Sequence, residues 1–270
     1  MPRALICDLD GVVWLARHPI PGAASAIAEL RAAGTRCLFV TNNSFSPHGE
    51  VVAALGAIGI PADGDLLSSA DAAAELLTSG ERALVAGGPG ILEALGRRGV
   101  EAVSAHEPAN GRFDAVLVGF DRAFDFDSLS RAAAAVRGGA RLIGTNDDAT
   151  YPTPDGPIPG GGALLAAVAT ACGVAPVVAG KPYEPMAALV HQALGPLAID
   201  LDAVVMVGDR PETDGDFATR LGVRFGLVRT GVTPAGATVT PIPAIDAPDL
   251  AQLVARLGSG PVASGPTGTS

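Results

Sequence analysis

The sequence is poor in the residues that large binding surfaces rely on. Aromatics make up 4% of its 270 residues, with one Trp and two Tyr, and 18 Lys plus Arg face 28 Asp plus Glu. With a formal net charge of -10 and no basic run, the chain repels polyanions. Nucleic-acid binders present a basic face and often aromatic stacking platforms, so nucleic acid and anionic membrane surfaces are set aside as partners. The three cysteines, Cys7, Cys37 and Cys172, are odd in number and far apart, and no CxxC or Cys/His spacing points to zinc. Cys7 and Cys37 sit in apolar, strand-like runs, where a thiol behaves as a small hydrophobe. No apolar run approaches membrane-spanning length, and acidic residues begin at Asp8 before a signal-peptide core could form. A reducing cytoplasm is the expected setting.

What the chain does have is apolar bulk, 48% of its residues, with 35 Gly to allow close packing of layers. Its length fits one or two domains. Short β-like runs alternate with helical stretches. Ala4–Cys7, Cys37–Val40, Ala83–Ala86, Ala115–Val118, Arg141–Ile143, Pro176–Val178, Ala203–Val207 and Arg224–Val228 read as strands. Pro21–Ala33, Pro47–Leu55, Ser128–Val136, Ala163–Cys172, Pro185–Leu194 and Thr213–Leu221 read as helices. Such alternation predicts an α/β fold, a doubly wound, Rossmann-like parallel sheet with helices on both faces. The stretch 80–178 has strands and helices of its own but no comparable acidic strand end. It is expected to form an inserted α/β cap domain on a core of 1–79 and 179–257, with the two crossings as hinges. The Gly/Ser/Pro-rich tail 258–270 is expected to be disordered.

Three strands end in polar clusters: Asp8-Leu9-Asp10-Gly11, Thr41-Asn42-Asn43-Ser44 and Gly208-Asp209-Arg210. Ligands of open α/β sheets sit outside the carboxyl ends of the strands, so the three clusters read as one composite site. Asp8 and Asp10, two apart at a strand end, point to the same side. A carboxylate facing a phosphate dianion is repelled by about 4 kcal/mol per charge pair at ~4 Å and an effective dielectric near 20. A cation must therefore cancel the repulsion. Asp209 and Asp214 offer an anchor for a hard ion such as Mg²⁺, which takes one or two carboxylates beside waters and substrate phosphate. Lys181, the Thr41 hydroxyl and the backbone N–H groups around Asn42 are candidates to hold the remaining phosphate oxygens.

The set Asp8-Leu9-Asp10-Gly11-Val12, Thr41-Asn42-Asn43-Ser44, Gly180-Lys181-Pro182 and Gly208-Asp209-Arg210-Pro211-Glu212-Thr213-Asp214 resembles the haloacid dehalogenase superfamily of phosphohydrolases. It is most similar to subfamily IIA, with its large α/β cap, which holds the NagD-like, 4-nitrophenyl, phosphoglycolate, glycerol 3-phosphate and pyridoxal phosphate phosphatases. Gly144-Thr145-Asn146-Asp147 through Tyr151-Pro152 to Pro159-Gly160-Gly161-Gly162 is similar to the cap of that subfamily. The resemblance implies Mg²⁺-dependent hydrolysis of a small phosphate monoester through an aspartyl-phosphate. In that reading Asp8 is the nucleophile and Asp10 the general acid and base, with Asp10 pushed towards its acid form by burial under the cap. Mg²⁺ is held by Asp8, the Asp10 carbonyl and Asp209, with Asp214 supporting from behind. Thr41, Asn42, Asn43, Lys181 and Arg210 bind phosphate. The partner is a small phosphorylated metabolite, and the cap could supply a homodimer surface. Two departures stand out: Gly215-Asp216, where an aliphatic residue is usual, and Pro211-Glu212 in place of a Leu-containing spacer. Asp216 is expected to face water.

Asp147, Asp148 and Tyr151 are candidates to contact the leaving group, and Gly160–Gly162 a candidate substrate loop. Trp14 is expected in the core and His18 at the surface. Ser44 lacks His and Asp partners for a serine nucleophile. Ala86-Gly87-Gly88-Pro89-Gly90 departs from a dinucleotide fingerprint and reads as a tight turn. Two alternatives use similar residues: a phosphotransferase or mutase passing the same phosphoryl group on, and a receiver-like switch without enzymatic turnover.

Overall fold

A computed structural model describes residues 1–108, 110–151, 153 and 156–258. The chain opens with β1 (Ala4–Cys7), a hairpin of β2 (Trp14–Leu15) and β3 (His18–Pro19), α1 (Ala23–Ala32), β4 (Arg36–Thr41), α2 (His48–Ala57), β5 (Leu66–Ser68) and α3 (Ser69–Ala74). The middle runs through β6 (Arg82–Ala86), α4 (Pro89–Arg97), β7 (Glu101–Ser104), β8 (Ala115–Val118), α5 (Phe126–Arg137) and β9 (Arg141–Gly144). A short pair, β10 (Thr150–Tyr151) and β11 (Ile158–Pro159), leads to α6 (Gly161–Cys172) and β12 (Val177–Val178). The chain then follows α7 (Glu184–Leu194), β13 (Val204–Gly208), a wide π-helical turn over Pro211–Gly215, and α8 (Asp216–Leu221). It ends in β14 (Arg224–Val228), β15 (Ile245–Ala247) and α9 (Leu250–Gly258).

Two parallel sheets result. One has the order β15-β14-β13-β1-β4-β5 and the other β12-β9-β8-β6-β7, the latter drawing every strand from residues 82–178. Strand alternation sends the side chains of the first sheet into two separate apolar layers. Leu5, Cys7, Phe39, Val205 and Val207 pack with Ile27, Leu30, Val51, Leu55, Leu253 and Val254 of α1, α2 and α9. Ala4, Ile6, Leu38, Val40, Val204 and Met206 face the other way, with α3, α7 and α8. That second layer also takes in Ile91 and Leu95 of α4 and Ala83, Val85, Ala115, Leu117 and Ile143 of the second sheet. The outer face of the second sheet is covered by α5 and α6 through Ala132, Val136, Leu165 and Val168. The molecule is thus a stack of helices, sheet, helices, sheet and helices, with the central helices shared by both sheets.

β1 lies between β13 and β4, with Cys7 level with Val207 on one side and Phe39 on the other. The chain leaves β1 towards β4 and returns later to β13, so the strand order reverses around β1. This switch point is where an α/β sheet opens a crevice at its carboxyl edge.

Some elements depart from the expected boundaries. α3 escaped a reading based on long periodic runs because it spans six residues, although Ser68 and Asp71 form a reciprocal capping box at its start. The helix expected over 213–221 divides at Gly215, because the polar run to Asp214 bends into the wide turn before α8 begins. β15 and α9 went unread, and Gly258, expected to begin the tail, closes α9 instead. Residues 259–270 of that tail lie outside the described residues, as does Pro152.

Candidate active site

A cavity of about 420 Å³ opens at the carboxyl ends of the strands, lined from one sheet by Asp8, Asp10, Thr41, Asn42, Lys181 and Asp209, and from the other by Phe120, Asn146, Asp148 and Tyr151. At its base lies Lys181, which is 2% exposed. Its Nζ donates to Asp8 Oδ1 at 2.6 Å and to Asp214 Oδ1 at 2.7 Å. A buried ammonium demands such partners, since desolvation without them would neutralise it. Burial pulls the Lys181 pKa down, yet the Asp214 and Asp8 carboxylates outweigh it and hold the ammonium above its ordinary value. Asp8 in turn is pushed up by burial, against the opposing pull of Lys181.

Asp209 follows β13 and is fixed by its surroundings. Val232 N donates to its Oδ2 at 2.6 Å, and the Thr233 hydroxyl donates to its main-chain carbonyl at 2.5 Å. Its carboxylate leans on two glycines. A Cβ at Gly11, whose φ is +85°, would stand 2.5 Å from Asp209 Cγ, and one at Gly231 would stand 1.9 Å from Oδ2. Burial, then the nearby Asp214 charge, push Asp209 up to about 7. Asp214 is ordered from behind: its Oδ2 accepts from Asp209 N at 3.2 Å and Arg210 N at 3.1 Å. The wide turn over 211–215 folds Asp214 back beneath the strand end, and Gly208 leaves room for it.

Asp8, Asp209 and Asp214 each offer an oxygen, all within 4.8 Å of one another and all buried. Three clustered carboxylates with Lys181 as their close cation leave negative charge uncompensated. An all-oxygen donor set of this kind fits a hard divalent ion such as Mg²⁺.

Asp10 is half-buried and also faces the cavity. Burial raises its pKa, with the Arg17 charge opposing. Thr41 is buried at the end of β4, and its hydroxyl accepts from Asn43 N at 3.1 Å. Asn43 uses its side-chain oxygen to cap the next turn, accepting from Phe45 N at 3.0 Å and Ser46 N at 3.3 Å. Asn42 is engaged throughout: Nδ2 donates to Asp148 Oδ2 and to the Lys181 carbonyl, and Oδ1 accepts from Lys181 N. Arg210 lines the cavity 3.9 Å from Asp148.

The structure gathers these predicted residues and sorts the remainder. Tyr151 lines the cavity and stacks on Phe120 with centroids 4.7 Å apart. Asp147 is exposed, outside the cavity lining, and its carboxylate accepts from the Tyr183 hydroxyl. Asp148 occupies the lining instead. Gly160 and Gly161 line the wall, and Gly162 packs against the Asp147 carbonyl. Trp14 is buried, Asp216 is exposed, and His18 is exposed at the cavity's edge. Ser44 is buried and its hydroxyl shares a 2.8 Å hydrogen bond with that of Thr145. Phe120 and Asn146 were missed as site residues. Their signal was available in position alone, since each follows a strand of the second sheet at its carboxyl end.

Comparison with known proteins finds matching family models, relatives and solved structures. A family model described as haloacid dehalogenase-like hydrolase matches residues 5–101, and a HAD-hydrolase-like model matches residues 178–253. The chain is 38% identical over 236 residues to D-glycerol 3-phosphate phosphatase of Mycobacterium tuberculosis, covering 86% of this chain and 64% of that protein. It is 36% identical over 235 residues to acid sugar phosphatase of Staphylococcus saprophyticus, covering 86% of this chain and 88% of the relative. A crystal structure of glycerol phosphate phosphatase from M. tuberculosis in complex with magnesium superposes with a TM-score of 0.81 at 35% identity, covering 93% of this chain and 76% of that one.

Proposed function

This chain belongs to the haloacid dehalogenase-like hydrolases and is a phosphatase that uses Mg²⁺, and from that premise we propose that it hydrolyses small phosphate monoesters through a phosphorylated Asp8. The observation that carries this reading is the buried Lys181 ammonium bridging Asp8 and Asp214, beside Asp209, at the base of the cavity. Lys181 holds one oxygen of Asp8, leaving the other to attack phosphorus in line with the ester oxygen. As the Asp8 oxygen–phosphorus bond forms and the ester bond breaks, Asp10 passes its proton to the leaving alkoxide. Asp10 then takes a proton from a water that attacks phosphorus, which frees inorganic phosphate and restores Asp8. Burial of Asp10 favours the acid form that the first step needs. Bound Mg²⁺, on Asp8, Asp209 and the Asp10 carbonyl with Asp214 behind them, would supply the positive charge that lets a carboxylate approach a phosphate dianion. Thr41, Lys181 and Arg210, which line the cavity, would hold phosphate oxygens.

A 420 Å³ cavity walled by Phe120, Tyr151 and Asp148 suits a small soluble leaving group rather than a phosphorylated protein segment. The names of the relatives, acting on glycerol 3-phosphate and acid sugars, support the same size class. The deciding experiment measures phosphate release from a panel of small phosphomonoesters with Mg²⁺. Asp8→Asn should abolish turnover on every compound while the protein remains folded. A folded Asp8→Asn protein that still releases phosphate at the wild-type rate would refute the covalent mechanism.

A further inference from the structure

The residue that grips phosphate is itself held from the second sheet. Both main-chain polar atoms of Lys181 are clasped by one side chain: Asn42 Oδ1 accepts from Lys181 N at 2.8 Å, and Asn42 Nδ2 donates to Lys181 O at 3.1 Å. The same Nδ2 also donates to Asp148 Oδ2 at 3.1 Å. A primary amide has two donor hydrogens, so these two bonds use both and leave none for a substrate. The main-chain carbonyl of Asn42 accepts from Asn146 Nδ2 and from Ser69 Oγ, each at 2.8 Å. Asp148 N closes the circuit by donating to Asn146 Oδ1 at 3.2 Å. Asn146 and Asp148 belong to the loop that leaves β9. The junction has no slack, since a Cβ on Gly180 would stand 2.5 Å from Asn42 Oδ1 and 2.6 Å from the Thr145 carbonyl.

We propose that Asn146, through the main chain of Asn42, and Asp148, through the Asn42 side-chain amide, are positioning residues for phosphoryl transfer that orient Lys181. Asn42 is then a clamp rather than a phosphate ligand through its side chain. The second sheet completes the phosphate cradle as well as roofing the leaving group. This inference rests on the reading of Asp8 and Lys181 given above. It separates Asp148 from an ordinary leaving-group contact, because an effect passed through Lys181 reaches the phosphoryl group, which every substrate shares.

The test uses folded, Mg²⁺-loaded wild type, Asp148→Ala, Asn42→Ala and the double variant. It measures kcat/KM for 4-nitrophenyl phosphate and glycerol 3-phosphate, and the inhibition constant of orthovanadate. Misplacing a reacting group by about an ångström can lower rates by roughly 100-fold. Asp148→Ala should therefore lower both kcat/KM values and weaken vanadate by a common factor of about 10 to 100. The double variant should be no worse than Asn42→Ala alone, since residues acting through one link are not additive. Asp148→Asn, which keeps an acceptor oxygen in the same place, should recover most of the loss. A loss confined to one substrate with vanadate affinity intact, or fully additive losses, would overturn the proposal. If Asp148→Ala does not fold, Asn146→Ala read in the same assays decides by the same criteria. Failure of the underlying Asp8 mechanism would show differently, as turnover surviving in Asp8→Asn.

Discussion

Lys181 concentrates the electrostatics of the site. Removing one member of a buried charged set leaves the others unpaired and is destabilising by about 3–5 kcal/mol. Lys181→Met should therefore lower phosphatase activity by at least about 100-fold, the scale of a lost transition-state donor. It should also depress the melting temperature. Because Asp8, Asp209 and Asp214 would then lack their close cation, Mg²⁺ should raise the melting temperature more in Lys181→Met than in wild type, as scanning calorimetry with and without the ion can show. An equal Mg²⁺ response in both proteins would contradict the assigned charge balance. Asp10 makes a different demand. An alkoxide needs a proton to leave, whereas 4-nitrophenolate leaves without one. Asp10→Asn should therefore slow glycerol 3-phosphate turnover by about 10²–10⁴, the usual range for general acid catalysis, and 4-nitrophenyl phosphate much less in single-turnover measurements of the phosphorylation step.

The residues of the site differ in how far sequence disclosed them. Asp8, Asp10 and Asp209 follow apolar runs directly, and a polar residue at the end of a buried parallel strand has few other places to go. Asn42 and Asp148 were visible as candidates, but their task was not. They lie 106 positions apart, and nothing local specifies that one amide will link them to Lys181. Asp147 and Asp148 are chemically identical neighbours, and the register of the loop alone sends one to Tyr183 and the other to the cavity.

At the scale of elements, α3 shows how a short helix survives between two sheets. Its six residues are too few to be stable alone, so it depends on its cap and on burial of its alanines. Asp71 receives Ser68 N and the Ser68 hydroxyl and pairs with Arg97 of α4. Burial alone would raise its pKa, but the contacts from His48, Ser68 and Arg97 overcome that and leave it below its ordinary 3.8. For a carboxylate depressed in the folded state, the added stability is fully present above the unfolded value and is lost as pH falls through the folded one. Asp71→Asn should therefore cost about 1 kcal/mol at neutral pH, the usual scale of a lost cap. The gap to wild type should narrow as urea unfolding is repeated below pH 3.8. A gap that stays constant down the acid limb would assign the loss to packing.

At the scale of the whole molecule, the two sheets share one apolar layer. Ile6 and Val40 of the first sheet and Val85 and Leu117 of the second belong to the same buried cluster, with Ile91, Leu95, Met186 and Phe217 between them. The second crossing between the sheets is buried at Ala179, and Gly180 is enclosed. Separating the sheets would expose this layer to water, so thermal unfolding should proceed as one calorimetric transition with matching calorimetric and van't Hoff enthalpies. Two resolved transitions would mean that the shared helices follow one sheet and leave the other. Among the described residues no helix is long and apolar enough to cross a membrane.

The sequence by itself determined the fold class and the main chemistry. The phosphate chemistry is what the resemblance of the motifs implies; alternation between apolar runs and helical stretches dictates parallel sheets, and carboxylates clustered at strand ends call for a cation. These are local consequences of periodicity and charge, and they survive any detail of packing. Tertiary structure alone decided that Lys181 would be buried between Asp8 and Asp214, that Asp209 would rest against Gly11 and Gly231, and that Asn146 and Asp148 would reach across to Asn42. Each of these contacts joins residues far apart in the chain. Their geometry follows from how two sheets seat on one layer of helices, and no pattern along the sequence encodes it.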